Sequence, residues 1–309
     1  MEFVQGLPQP INERPTVLTI GAFDGVHRGH RHLIGGAVRR AHMLGCQSAV
    51  LTFDPHPDLV IRPERARHYL TSADERAQLI AKLGVDLLII LPFTREVMGQ
   101  SAHEFMSRVC RAVALCELWV GWDFALGRGR EGDLPRLRTI GQELGYSVHP
   151  VEPFDLDGAP VSSSRIRAAL SAGDVVAAAT LLDRPFSLRG TVMQGDQRGR
   201  TIGFPTANIG VDAQHALPAD GVYICHAWLG DQRYGAVTNV GVRPTFAGAH
   251  RTVEAYLLDF VGEIYGETLR LDFLQRLRGE QKFDGIAALI AQITSDVAAA
   301  RAWLQAHET

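Results

Sequence analysis

Between Thr16 and Val151, short apolar runs alternate with stretches in which apolar residues recur every three or four positions. That alternation is the pattern of parallel strands joined by crossover helices. The runs Val17–Ile20, Ala49–Phe53, Asp86–Leu91, Leu118–Val120 and Tyr146–Val151 predict strands. Ser72-Ala73-Asp74-Glu75 and Ser101-Ala102-His103-Glu104 predict helix starts. In each, the serine hydroxyl accepts from the N–H three residues on, and the glutamate reaches back to the serine N–H. Ser162 to Leu182 predicts two short helices broken at Ala172-Gly173-Asp174, and Asp183-Arg184-Pro185 reads as a linker.

After Pro185 the period changes to two. Tyr223 to Leu229 alternates, turns at Gly230-Asp231 and alternates again through Val240; Val253–Leu258 and Thr268–Phe273 continue the pattern. Several short strands at this spacing predict a small closed antiparallel barrel. A terminal helix is expected from near Asp284, with Ile286, Leu289, Ile290, Ile293, Val297 and Leu304 on its packing face. The expected fold class is therefore α/β plus all-β: a parallel-sheet domain over 1–183 and a barrel with a C-terminal helix over 184–309.

A length of 309 residues agrees with two cores. The formal net charge of −3, with 21% charged residues, argues against a nucleic-acid coat or a membrane-surface protein, so the expectation is no nucleic-acid and no membrane partner. Val85 to Pro92, the most apolar run, is too short to span a bilayer. The four cysteines form no C-x-x-C pair, and the N-terminus is not signal-like, which points to reduced thiols in a cytoplasmic protein. Of 31 basic residues only Lys82 and Lys282 are lysines, and neither follows a glycine. A Walker-type Gly-Lys-Ser/Thr loop is thereby excluded. Arginine still provides two-pronged phosphate contacts.

The chemistry starts at Gly21-Ala22-Phe23-Asp24-Gly25-Val26-His27-Arg28-Gly29-His30, a glycine-rich turn between a strand and a helix. Helix N–H groups, the helix dipole and two imidazoles make this an anion site suited to a nucleotide triphosphate. The plain alternative is a pair of surface histidines in a permissive loop. Three further segments follow predicted strands: Phe53-Asp54-Pro55-His56-Pro57, Val120-Gly121-Trp122-Asp123-Phe124, and Ser162-Ser163-Ser164-Arg165-Ile166-Arg167. In the last, Ser163 and Ser164 cap a helix and donate to phosphate, while Arg167 lies one turn in. Such a set suits adenylyl transfer, in which an already ionised phosphate attacks the α-phosphate of ATP and no general base is required. In the second domain, Gly195, Gly199 and Arg200 lie in a glycine-rich flap leading to Gly203-Phe204-Pro205-Thr206-Ala207-Asn208. Thr206 and Asn208 offer hard oxygens to Mg2+. Glu254, inside an otherwise apolar strand, is either a solvent-facing residue or a base for an attacking hydroxyl.

In this order along nearly the whole chain, these motifs, with Asn239-Val240-Gly241-Val242-Arg243-Pro244-Thr245 and Gln281-Lys282-Phe283, resemble the bacterial bifunctional riboflavin kinase/FAD synthetases. The resemblance implies a Rossmann-like nucleotidyltransferase domain that adenylylates FMN to FAD, and a kinase barrel that makes FMN from riboflavin, each using ATP and Mg2+. It implies adenylyltransferase roles for Gly21, Phe23, Asp24, His27, His30, Asp123, Ser163, Ser164 and Arg167, and flavin contacts from Phe53, Pro55, His56, Asp123, Phe124, Arg243 and Glu254. For the kinase it implies nucleotide contacts from Gly195, Gly199, Arg200, Gly203, Thr206 and Asn208, with Glu254 as base. A monomer or weak homo-oligomer is expected. Ser164 stands where the family usually has Thr, Leu126 for Phe and Asp54 for Glu. A single-activity adenylyltransferase with a regulatory barrel leaves Thr206, Asn208 and Glu254 unexplained; a non-catalytic flavin carrier leaves the His, Arg and Thr/Asn sets unexplained.

Overall fold

The parallel sheet begins with two strands, β1 (Glu2–Gln5) and β2 (Asn12–Ile20), before the first helix, α1 (Arg28–Leu44). The computed structural model describes residues 1–8, 12–64, 68–195, 199, 202–245 and 248–307, with backbone alone at 12–13, 243–245 and 248–250. The chain continues through β3 (Gln47–Asp54), α2 (Pro57–Ile61), α3 (Ala73–Ala81), β4 (Leu87–Pro92), α4 (Arg95–Gly99), α5 (Ala102–Ala112), β5 (Val113–Gly121), α6 (Leu134–Leu144) and β6 (Ser147–Val151). Sheet order is β1-β4-β3-β2-β5-β6, all parallel. Leu87, Ile89 and Leu91 face the α5/α6 layer while Leu88 and Ile90 face the layer of α1 and α3. Burial on both faces explains why this strand reads as an unbroken apolar run.

The five expected strands are present, with shifted ends. β5 is much longer than Leu118–Val120, because α5 passes directly into it at Val113. β1 escaped the sequence reading: it is a four-residue edge strand paired only to β4, with Phe3 54% exposed. A small hairpin, β7 (Asp155–Leu156) with β8 (Ala159–Pro160), was also unforeseen. Both capping boxes form as expected: Ser72 with Glu75, and Ser101 with Glu104.

Two helices follow, α7 (Ser163–Ser171) and α8 (Val175–Leu182), separated near Gly173 as expected. The barrel comprises β9 (Phe186–Met193), β10 (Ala207–Gly210), β11 (Gly221–Leu229), β12 (Gln232–Thr245), β13 (Gly248–Leu257) and β14 (Thr268–Arg278), closed in the order β10-β13-β12-β11-β14-β9. By internal contacts the chain divides into Met1–Ser163 and Ser164–Thr309, so α8 packs with β9 and β14. Arg276 Nη1 donates to the Ala172 carbonyl between the two helices, at 3.2 Å.

The terminal helix α9 (Ile286–His307) crosses the outside of the barrel on Val222, Ile224, Val237 and Leu258. Of the expected packing face only Ile286 is exposed; Leu289, Ile290, Ile293 and Val297 are half-buried and Leu304 is buried. Ile286 is 66% exposed, whereas Asp296 is 6% exposed. Asp296 takes a two-pronged contact from Arg278, Nε to Oδ1 at 3.1 Å and Nη2 to Oδ2 at 2.8 Å, which tethers the helix to β14.

In the first unit, α1 is fixed onto β5 by Arg40, whose Nε and Nη2 both reach Glu117. Trp119 Nε1 donates to the same carboxylate at 2.9 Å. The Arg40 bonds, chiefly, and the Trp119 bond hold the Glu117 carboxyl below its ordinary range despite burial. A group depressed on folding stabilises above its unfolded value and loses that contribution as pH falls through the folded one. Unfolding midpoints of the first unit are therefore expected to decline below about pH 4.3. Glu117→Gln should lower the neutral-pH midpoint and flatten this decline; an unchanged acid limb would remove Glu117 from the account.

Candidate active sites

Parallel pairing sends the carboxyl ends of β3, β2 and β5 to one edge, and the chain order reverses between β2 and β5. Ligands of open α/β sheets bind outside this switch point. Residues 21–30 leave β2 there, beside Phe53 at the end of β3, Pro55 and His56 after it, and Asp123 and Phe124 after β5.

The turn is strained. Phe23 (φ 49°) and the β-branched Val26 (φ 40°) both lie in the left-handed region with Gly25. Gly21 makes room for the Phe23 ring, since a Cβ there would come within 2.8 Å of it. The turn is held from outside: Asp24 Oδ1 accepts from Leu70 N and Thr71 N (2.9 and 3.2 Å), Gly25 N donates to Thr71 Oγ1 at 3.0 Å, and Ser163 Oγ donates to the Asp24 carbonyl at 2.9 Å.

His27 caps α1, its Nδ1 accepting the His30 backbone N–H at 3.3 Å. That bond assigns the proton of a neutral His27 to Nε2, a donor. The His27 and His30 rings stack with centroids 3.6 Å apart and planes 19° apart, and Phe23 meets His30 edge-on at 5.3 Å. The helix has no acidic residue in its first turn, where Arg28, His30 and Arg31 stand instead. A helix N-terminus with basic and no acidic side chains in its first turn suits an anion.

Asp123 is exposed, and Arg130 Nη2 donates to its carbonyl at 3.0 Å. Ser164 and Arg167 follow Ser163 on α7 and belong to the second unit's contacts.

In the barrel, register brings polar side chains into one row. Asn208 of β10 lies opposite Glu254 of β13, and Glu254 opposite Asn239 of β12. Directly opposed residues share a face with Cβ atoms about 5 Å apart. All three are half-buried between inward-facing Ala207, Val253, Ala255, Thr238 and Val240. A Cβ on Gly195 would overlap the Asn208 amide, and one on Gly199 would touch the Phe204 carbonyl and approach Thr206 Oγ1 to 3.4 Å. Glycines are thus required where the flap crosses Thr206 and Asn208. A cavity of about 330 Å3 is lined by Thr206, Pro205, Ala207 and the 260–265 loop; Asn208 and Glu254 lie outside its lining. Gly203 has φ 87°, in the turn before Thr206. Arg200 lies outside the described residues, and Arg243 is described by its backbone alone, in β12. Asn239 was not assigned a role from sequence; its period-two spacing in a glycine-containing strand gave no signal without the register.

Residues 9–165 match the FAD synthetase family and residues 182–304 the riboflavin kinase family. A bifunctional riboflavin kinase/FMN adenylyltransferase of Pseudomonas fluorescens is 40% identical over 305 residues, covering 98% of this chain and 97% of the relative. One from Escherichia coli (strain K12) is 37% identical over 287 residues, 92% and 91% of the two chains. A solved structure from Streptococcus pneumoniae, described as a macrolide-efflux protein, superposes with a TM-score of 0.88 at 30% identity over 97% of this chain and 99% of that one.

Gly195→Ala is expected to displace the Asn208 amide and weaken ATP binding at the second unit about tenfold, following the cited overlap. Calorimetric titration, with the first unit's nucleotide site as internal reference, reads the change; unaltered binding would detach Asn208 from the nucleotide.

Proposed function

This chain belongs to the bifunctional riboflavin kinase/FMN adenylyltransferase family, and we propose that its two reactions are carried by the histidine turn at the end of β2 and by the Thr206, Asn208 and Glu254 set of the barrel. The C-terminal domain phosphorylates riboflavin to FMN with ATP, and the N-terminal domain transfers AMP from ATP to FMN, giving FAD and pyrophosphate. The assignment is carried by one observation: a glycine-containing turn at the carboxyl end of β2 leads into the N-terminus of α1, whose first turn carries Arg28, His30 and Arg31 and no acidic residue, a setting suited to a polyphosphate.

For adenylyl transfer, the FMN phosphate is already ionised and attacks the α-phosphorus as pyrophosphate leaves. The residues we assign to it orient two anions and neutralise developing charge. His27 Nε2–H and His30 face this work, with Gly21 and Phe23 shaping the turn; Ser163, Ser164 and Arg167 carry their phosphate roles from the family motif, as do Phe53, Pro55, His56, Asp123 and Phe124 their flavin roles. Ser164 keeps the hydroxyl of the usual Thr.

For the kinase, the acceptor is the ribityl hydroxyl, which must lose a proton as it attacks the γ-phosphorus. Glu254 takes it. Thr206 and Asn208 supply hard neutral oxygens beside the glycine flap, a donor set that fits Mg2+ shared with phosphate oxygens and water. Among the described residues no group of three His, Cys, Asp or Glu side chains forms a metal cage. Bound there, Mg2+ supplies charge neutralisation at the transferred phosphoryl group.

Use of ATP as donor in both steps favours a cytoplasmic enzyme, and among the described residues no helix is long and apolar enough to cross a membrane.

Purified protein given riboflavin, ATP and Mg2+ is expected to accumulate FMN and FAD, and chelation of the metal to stop both. Glu254→Gln should slow FMN formation by about a hundredfold or more while FMN supplied directly is still converted to FAD. Chromatography of the flavins decides: equal loss of both products from a folded variant contradicts the division of labour.

A further inference from the structure

Arg76 is the largest side chain in the core, 1% exposed, on α3 one turn before the apolar Ile80. An ordinary apolar residue would fill that position without the desolvation that a buried cation entails. Its surroundings explain the charge. Nη2 donates to the carbonyl of Phe53 at 2.8 Å and lies 4.0 Å from Asp54 Oδ1, at the end of β3 where the flavin motif starts. Burial pulls the Arg76 guanidinium below its ordinary range, while the charges of Asp24 and Asp54 oppose that. One of these carboxylates belongs to the histidine turn and the other to the flavin turn.

The residues just before α3 make the matching contacts. Leu70 and Thr71 bind Asp24 and Gly25 of the histidine turn, and the Tyr69 hydroxyl accepts the His56 backbone N–H of the flavin turn at 3.2 Å. Leu70 and Thr71 are buried. Phe23 and Val26 lie at positive φ, so the histidine turn needs such external support to keep its shape. One short segment therefore touches both ligand-facing turns.

We propose that Tyr69, Thr71 and Arg76 are positioning residues of the adenylyltransferase: they form a strut that fixes the separation of the ATP-facing turn from the FMN-facing turn. The inference rests on the assignment of residues 21–30 to ATP and 53–57 to FMN. In-line attack depends on that separation, because a displacement of about 1 Å costs on the order of a hundredfold in rate.

The full-length chain tests this: its kinase activity normalises the amount of enzyme, and the thermal unfolding of the first unit, followed by Trp119 and Trp122 fluorescence, reports whether the variants fold there. Arg76→Met is expected to lower kcat for FMN adenylylation at least tenfold with riboflavin phosphorylation within twofold of the parent, and Arg76→Lys to recover most of the loss. Tyr69→Phe should raise KM for FMN several-fold and leave KM for ATP; Thr71→Val should do the reverse. Adenylylation within twofold of the parent in folded Arg76→Met overturns the strut. So does a Tyr69→Phe and Thr71→Val pair whose effects do not separate by substrate, and this pair decides alone if Arg76→Met fails to fold. His30→Ala and Phe53→Ala are measured alongside. If they too leave adenylylation intact, the assignment of the two turns falls and the strut with it; if they abolish it while the strut variants do not, only the strut is lost.

Discussion

β2 hydrogen-bonds in parallel to β3 on one side and to β5 on the other, and the placement of every candidate group in the first unit follows from that double pairing. Three loops are delivered to one edge by backbone geometry alone. In the proposed assignment the glycines set how closely a phosphate approaches, and the α1 dipole favours its negative charge. The barrel uses the other kind of register. Antiparallel pairing puts Asn208, Glu254 and Asn239 abreast on three strands, so residues distant in sequence become neighbours without any loop having to reach. In both units the chemistry is placed by main-chain hydrogen bonds, and side chains are tuned afterwards.

That order of causes separates what the sequence tells from what it withholds. Capping boxes at Ser72 and Ser101 are local, and both form. The histidine turn is equally local: strand, glycines, histidines and helix start are contiguous. β1 depends on a partner, β4, that lies far along the chain, and its own four residues carry no period long enough to notice. The packing face of α9 includes a buried Asp296 paired to Arg278, which apolar periodicity cannot show. α8 belongs with the barrel by contact although it precedes the change of period at Pro185. Arg76 did leave a trace, a charge four residues before Ile80 on the stripe that a predicted helix would bury. Within a helix such a charge ordinarily reads as a solvated position, and only burial reveals the difference.

The support of the histidine turn also bears on its energetics. Two non-glycine residues at positive φ hold conformations that their side chains disfavour. Substituting glycine would relieve the strain and loosen the loop. The structure instead keeps Phe23, whose ring fills the space that Gly21 leaves and abuts His30, and Val26, which packs into the core with Ile34 and Val50. Rigidity is gained from packing and from the hydrogen bonds of Leu70, Thr71 and Ser163, so the backbone N–H groups are oriented before any ligand arrives.

The two sites differ in where they keep negative charge, and their acceptors explain it. A hydroxyl acceptor has to lose a proton, so the barrel presents Glu254 beside the donors assigned to ATP. A phosphate acceptor arrives already ionised, and a carboxylate facing it would repel both it and the triphosphate. The histidine turn nevertheless contains a carboxylate, Asp24, which is 1% exposed and whose Oδ1 accepts two backbone N–H groups in the core. The field of Asp24 also raises the affinity of the buried Arg76 guanidinium for its proton, against the effect of burial. Asp24 thus shapes the turn through the backbone N–H groups that its carboxylate accepts in the core. A carboxylate turned into the core in this way holds the turn together without facing the anions that the proposed assignment brings to it.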